Sequence, residues 1–296
     1  MLLALAYDIA ELKGVVLLAG VVIAATAAAL LRYMLWLGVN VLLAVFFLMV
    51  SMSASMVHWL ARPHMFTWGL LLITIWLLEA DRRKNSRRIY WLVPIVIVWT
   101  NTHGGFLTLL MAVGVYAAGT GLEQMWAAYD SHPERFSWHI PAAVKRYGLV
   151  LLLCSAGTLV NPYGYQLHVH IAGYLGSDFI LNNVQEFQSP NFRGESMLVY
   201  EGFLLLGLIL LVRLVKRREL AQALLLLAWS HALLVSVRHV PLFMIVSAPL
   251  IARELTLFIA EGAGSGNTWL KAIHSMAADY GGSKPSASFI RAPAFS

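Results

Sequence analysis

Charged residues are scarce in this chain of 296 residues. They make up 12% of the sequence, whereas hydrophobic residues make up 59%. A soluble domain carries about 25% charged residues because its surface faces water. The composition therefore excludes an ordinary soluble globular protein and indicates a chain whose surface faces hydrocarbon.

A disulfide framework and a cleavable signal peptide are also lacking. The single cysteine, Cys154, lies within an apolar run, so the chain cannot form an internal disulfide. Met1-Leu2-Leu3 has none of the basic residues that open a signal peptide. Insertion into a bilayer must therefore depend on the internal apolar segments.

Those segments are nine apolar runs separated by polar stretches. They cover residues 14–31, 34–50, 63–78, 89–100, 106–120, 147–160, 197–212, 220–235 and 241–251. A full span needs about 20 residues, and shorter helices are tolerated where their ends meet a polar cavity or other protein. We predict an all-α fold, a polytopic transmembrane bundle of about nine helices, several of them short. Residues 1–255 would form the bundle, and residues 256–296 a flexible or truncated cytoplasmic tail.

The basic residues predict an orientation. If the loop at 81–88 is cytoplasmic, alternation puts all but four of the 21 Lys and Arg on that side. The exceptions are Lys13, Arg62, Arg193 and Arg238. Such an excess is typical of cytoplasmic loops, so the net charge of +6 reflects topology and we expect no nucleic-acid partner. The alternation also places Met1 outside, and we expect an upstream helix and loop to be missing from this sequence.

The predicted outer face collects polar motifs and six of the ten histidines. In Asn101-Thr102-His103-Gly104-Gly105, two short helices meet, and the glycines predict a sharp turn that approaches a ligand closely. Polar groups at this depth suggest function. The alternative is a helical hairpin in which Asn101 caps the second helix.

Two arginine-histidine pairs lie on the same predicted face. Arg62 and His64 flank a proline at the start of a helix, and Arg238 and His239 precede another helix. A guanidinium pairs well with phosphate, so these residues, with Asn161, are candidate substrate-binding groups. Contact with lipid headgroups remains the alternative.

The outer loop at 166–196 adds a candidate base. Glu186 is the outer carboxylate we favour for that role, with ordinary loop solvation as the alternative. His168 and His170 leave a metal site open, because zinc needs three convergent ligands. The sequence assigns no cofactor.

Five of these segments resemble a bacterial family of polytopic membrane proteins that is similar to GT-C-type glycosyltransferases, the class of protein mannosyltransferases. The resemblance covers about residues 1–255. It is carried by Ala61-Arg62-Pro63-His64, Trp99-Thr100-Asn101-Thr102-His103-Gly104-Gly105-Phe106, Asn161-Pro162-Tyr163-Gly164, Glu186-Phe187-Gln188-Ser189-Pro190-Asn191-Phe192 and Val237-Arg238-His239-Val240-Pro241-Leu242-Phe243.

The resemblance implies transfer of a sugar from a polyprenyl-phosphate carrier on the periplasmic face of the bacterial inner membrane. The class places an acidic catalytic residue in its first outer loop, upstream of this sequence, so we expect this chain alone to be inactive. Within it, Glu186 and His103 are the candidate catalytic residues. The competing hypothesis is a non-catalytic multi-pass protein that contacts membrane lipids, either transporter-like or a partner in envelope assembly.

Overall fold

The computed structural model describes residues 2–131, 134, 140–194, 197–265, 267–272 and 275. These residues fold into helices joined by short turns, with no strands among them. The helices are α1 (Leu2–Trp36), α2 (Val41–Ser55), α3 (His64–Lys84), α4 (Leu92–Thr100), α5 (Leu107–Ser131), α6 (Ala142–Gly157), α7 (Gln166–Leu175), α8 (Asp178–Asn183), α9 (Leu198–Lys216), α10 (Leu220–Val235) and α11 (Val240–Gly264).

The all-α prediction is confirmed for the described residues, but the predicted count of about nine helices is not. Twelve helices are present when a short one at 268–272 is included. Each apolar run overlaps one of α1–α6 or α9–α11, and α7 and α8 arise in the predicted outer loop. Helix α11 continues past the predicted tail boundary at residue 255 as far as Gly264. Residues 276–296 of the predicted tail lie outside the described residues.

Among the described residues, five helices are long and apolar enough to cross a bilayer, which supports the predicted membrane protein. They span Leu2–Trp36, Val41–His58, Gly104–Ser131, Leu198–Lys216 and Val237–Gly264. Large apolar side chains such as Val16, Leu152 and Ile209 are exposed on the bundle surface. Such side chains are stable against hydrocarbon, where burial between helices is not required.

Helix α11 is the central helix of the bundle. An apolar stretch of 18 residues in this helix is 67% buried, compared with 17% for the corresponding stretch of α1. Side chains such as Phe243, Met244 and Ala252 are completely buried, and the helix packs against α2, α9 and α10. Pro249 lies inside α11, where it removes one intrahelical hydrogen bond. The other helices are therefore arranged around α11, which they bury more than they bury α1.

Alternating helices bring their termini together at two ends of the bundle. We define the histidine end as residues 55–67, 99–107, 157–194 and 235–240, and the charged end as residues 32–41, 79–92, 123–131, 142–146, 213–222 and 253–261. Next to the histidine end, the Tyr200 hydroxyl at the start of α9 donates to the Ala54 carbonyl at the end of α2 (2.7 Å). At the charged end, the Asn40 amide donates to the Thr256 hydroxyl (3.0 Å). The predicted outer segments thus share one end.

Candidate functional site at the histidine end

Three imidazoles from three separate segments lie side by side. The ring centroids of His58 and His64 are 6.3 Å apart, and those of His64 and His103 are 6.4 Å apart. His58 ends the turn after α2, His64 begins α3, and His103 lies between α4 and α5. The helix termini therefore bring together residues that are far apart in sequence. We call these three residues the histidine cluster.

Backbone carbonyls hold two members of the histidine cluster. The Nε2 atom of His58 lies 3.0 Å from the Val237 carbonyl oxygen, and the Nε2 atom of His64 lies 2.9 Å from the His58 carbonyl oxygen. A carbonyl only accepts, so each Nε2 donates. The backbone beside the histidine cluster thus holds both rings in place.

The turn between α4 and α5 is built around His103. His103 is extended and caps the 3-10 turn Gly104–Phe106, with its Nδ1 accepting from the Gly105 amide (3.1 Å). The Thr67 hydroxyl lies 2.9 Å from the same Nδ1. His103, rather than Asn101, therefore supplies the cap that the hairpin interpretation assigned to Asn101.

The two glycines of this motif differ in their surroundings. A Cβ on Gly105 would lie 2.6 Å from the Thr67 hydroxyl oxygen and 2.8 Å from His103 Nδ1, whereas a Cβ on Gly104 would meet nothing closer than Ile171 at 3.7 Å. Neither glycine has a positive φ. The turn between α4 and α5 therefore uses ordinary backbone angles and needs no left-handed glycine. Only Gly105 is required, for its close approach to Thr67 and His103.

Both candidate asparagines satisfy the backbone. The side-chain amide of Asn101 donates to the carbonyls of Ile97 and Val160, each at 2.8 Å, and so fastens the end of α4 to the end of α6. That of Asn161 donates within its own turn, to Thr158 (2.8 Å) and Gly164 (3.1 Å). Their N–H groups are occupied, and these two residues shape the histidine end.

Arg238 joins the site from the segment before α11. Its guanidinium carbon lies 4.3 Å from the ring centroid of Phe187, and it is partly buried. No described residue forms an ion pair with it. Desolvating an arginine without a counter-charge is costly, and the aromatic face offsets only part of that cost.

Glu186 reaches the same region through its backbone. Its carbonyl accepts from the Ser236 hydroxyl at 2.7 Å, and the Val237 amide donates to the Gln188 carbonyl at 3.0 Å. These bonds dock the outer segment against the start of α11. The Glu186 carboxylate is partly exposed and makes no hydrogen bond or ion pair with the described residues.

The other predicted residues are less closely joined to the histidine cluster. Arg62 is exposed, and within the described chain its guanidinium has no partner, although it lies two residues before His64. His239 is partly buried, and its Nδ1 has no hydrogen-bond partner in the part of the chain that the structure describes. A recess bordered by all these residues stays a prediction.

Electrostatics keep the His103 ring neutral at pH 7. Burial, together with the positive charge of Arg238 and the neighbouring His64, lowers the pKa of His103 to about 4. The described residues contain no group of three or more His, Cys, Asp or Glu placed to hold a metal ion. His168 instead contacts the Thr158 hydroxyl through Nε2 (2.9 Å), and His170 is exposed.

Three contributors to the site were not identified from the sequence: Thr67, Trp99 and Phe187. Thr67 follows His64 by three residues, so on α3 both lie on one helical face. That spacing was the available signal. The indole of Trp99 and the ring of Phe187 act through contacts between segments distant in sequence, which leave no local pattern.

Beside the turn lies an apolar cleft. It has a volume of about 280 Å³ and is lined by Leu107, His168, Ile171, Ala172 and Leu175, which belong to the start of α5 and to α7. Ile171 is also the side chain nearest to Gly104. A hydrocarbon-lined space thus adjoins the polar groups of the histidine end.

Comparisons with known proteins add no assignment. No family model, curated protein or solved structure matches the chain.

Proposed function

We propose that this chain binds a polyprenyl-phosphate-linked sugar at its histidine end, as part of a GT-C-like membrane glycosyltransferase whose histidine end faces the periplasm. Arg238 carries the proposal. It is a partly buried arginine with no ion pair among the described residues, whereas seven of the ten arginines of the charged end are ion-paired. A partly buried cation without a counter-charge among the described residues suits an anionic ligand.

The neighbouring groups suit a phosphate and its lipid. His103 and Arg238 supply donors of different charge, and Arg62, two residues before His64, is exposed. A neutral imidazole donates to phosphate without adding a second buried positive charge. The apolar cleft beside Gly104 offers hydrocarbon surface next to those donors. Phosphate recognition and prenyl contact would then occur at adjacent places.

In the proposed reaction, the bond between the anomeric carbon and the carrier phosphate breaks. The phosphate leaves with the electron pair, and the acceptor oxygen forms the new bond to the anomeric carbon. The acceptor proton passes to a carboxylate, a role proposed for Glu186. Arg238 and His103 would stabilise the growing negative charge on the phosphate oxygens.

Binding of decaprenyl phosphate to the purified chain in lipid nanodiscs tests the proposal. Arg238→Gln is expected to weaken binding about tenfold, because a charge-assisted hydrogen bond contributes roughly 1.5–3 kcal/mol. Lys216→Gln, an exposed lysine at the charged end, is the matched control and should bind normally.

Decaprenol, which lacks the phosphate, and phosphatidylglycerol separate the sources of any affinity. Equal affinity for decaprenol would show that the phosphate contributes nothing, and equal affinity for phosphatidylglycerol would reduce the site to a headgroup contact.

A further inference from the structure

A chain of hydrogen bonds connects three segments at the histidine end. The indole Nε1 of Trp99 donates to the Thr67 hydroxyl oxygen at 3.1 Å. That oxygen lies 2.9 Å from His103 Nδ1, which also accepts from the Gly105 amide at 3.1 Å. Trp99 and Thr67 are buried, so water does not compete with these bonds.

The direction of the chain follows from groups that only donate. An indole N–H and a backbone N–H can only donate hydrogen bonds. Because the Thr67 oxygen accepts from Trp99, its own hydrogen is free to point to His103 Nδ1. Nδ1 then accepts two hydrogen bonds and carries no proton of its own. The proton of the neutral ring is therefore on Nε2.

We infer that Thr67 is a positioning residue which, together with the Gly105 amide, holds His103 as a neutral imidazole with its hydrogen on Nε2. That the Nε2 hydrogen is donated to a phosphate oxygen rests on the proposed function. The tautomer of the ring does not. With Nδ1 occupied by two donors, His103 is not a proton acceptor. Its part in the proposed reaction is therefore to donate a hydrogen bond.

The surroundings of the ring oppose its protonation. A second proton would have to enter Nδ1, where it would face the Gly105 amide hydrogen and the Thr67 hydroxyl. Arg238 and His64 are the charged and titratable groups nearby, and both lower the pKa of His103 together with burial. Geometry and electrostatics thus favour the same form of the ring.

Nitrogen NMR of the chain labelled with 15N-histidine tests the inference in detergent micelles, without any ligand. His103→Gln identifies the His103 signals. At pH 7 we expect a protonated Nε2 and an unprotonated Nδ1. Thr67→Val, which removes one donor to Nδ1, should raise the measured pKa of His103 by on the order of one unit. Thr67→Ser keeps the hydroxyl and should match the wild type.

Several results would overturn the inference. A proton on Nδ1, or an imidazolium at pH 7, would contradict the assigned tautomer. An unchanged tautomer and pKa in a folded Thr67→Val chain would remove the positioning role. If that variant fails to fold, Trp99→Phe replaces it, because losing the indole donor frees the Thr67 hydroxyl to turn and should shift His103 in the same direction.

The same experiment distinguishes this inference from the proposed function. The expected tautomer in a chain that does not bind decaprenyl phosphate would leave the inference intact and contradict the function. Binding that weakens in Thr67→Val but not in Thr67→Ser would support both.

Discussion

The two ends of the bundle use polar residues in opposite ways. At the charged end, arginines pair with carboxylates of other helices, as when Arg253 binds Glu219 and Arg213 binds Glu254. At the histidine end, imidazoles bond to backbone groups and threonine hydroxyls, and Arg238 pairs with no described carboxylate. Ion pairs between helices fix their arrangement. Open donors and acceptors remain available to a ligand, so the comparison favours the histidine end as the place where the proposed ligand binds.

Glu79 shows how the charged end is built. It is completely buried, and its oxygens accept from Arg82 (2.9 and 3.0 Å), Arg83 (2.8 Å) and the Tyr116 hydroxyl (3.3 Å). Arg82 also reaches Glu123 on α5 at 3.5 Å, and Glu123 accepts from the Ala221 amide at the start of α10. One carboxylate thus anchors contacts that connect α3, α5 and α10.

Removing that anchor should have the largest effect on stability. Glu79→Gln is expected to lower the free energy of unfolding by about 3 kcal/mol, because it leaves Arg82 and Arg83 without their main counter-charge. The matched change at the histidine end is Glu186→Gln, which removes no ion pair among the described residues and should cost less than about 0.5 kcal/mol. Unfolding in mixed micelles of increasing SDS content measures both. Equal losses would end the distinction between the two ends.

The glycine pair gives the next largest effect. Gly105→Ala places a methyl group against the Thr67 hydroxyl and His103 Nδ1, and should destabilise the bundle by about 1–3 kcal/mol. It should also broaden the His103 NMR signals as the ring loses its fixed position. Gly104→Ala, whose methyl group would only reach ordinary contact with Ile171, is the control and should resemble the wild type. A reversed order would contradict the described packing of this turn.

The two ends should also respond to different pH ranges. The folded pKa of His103, about 4, lies below its ordinary value of 6.5. The unfolded chain therefore takes up this proton first. The stability contributed by the neutral ring is complete above about pH 6.5 and is lost as the pH falls towards 4.

Glu219 at the charged end titrates in a lower range. Burial raises its pKa, but the hydrogen bonds and charge of Arg253 outweigh burial and lower it below the ordinary 4.5. The stabilisation by Glu219 is thus present above about pH 4.5 and is lost only below that value.

Between pH 6.5 and 5, the difference in thermal midpoint between wild type and His103→Gln should shrink. A constant difference over that range would show that His103 does not titrate as described.

The fold was predictable from local pattern far better than the site was. Each apolar run became one helix because apolar length alone identifies a helix in a bilayer. Helices α7 and α8 were not predicted, since the stretch at 166–183 is short, mixed in polarity and largely exposed. The carboxylates of the charged end were overlooked because the orientation in the membrane is predicted from Lys and Arg. Asp and Glu contribute little to that prediction.

At the site, the structure brings His64, His103 and Arg238 near one another, but the sequence did not show how they are held. Thr67 and Trp99 act through bonds between α3 and α4, and such contacts depend on packing rather than on spacing. Asn101 illustrates the same limit. A polar residue beside a histidine predicts a ligand contact and a structural contact equally well, and only its partners decide between them.

The smallest expected effect concerns this residue. Asn101→Ala removes two hydrogen bonds to the Ile97 and Val160 carbonyls and should cost about 1 kcal/mol, because the side chain is exposed and water replaces part of the loss. The affinity of Asn101→Ala for decaprenyl phosphate should equal that of a variant that is destabilised to the same extent elsewhere in the bundle. Asn161→Ala is the comparison for the link between α4 and α6, because the hydrogen bonds of the Asn161 side-chain amide stay within one turn. If Asn101→Ala weakens binding tenfold at unchanged stability, Asn101 belongs with Arg238 among the ligand-contacting residues, and the link from α4 to α6 is secondary.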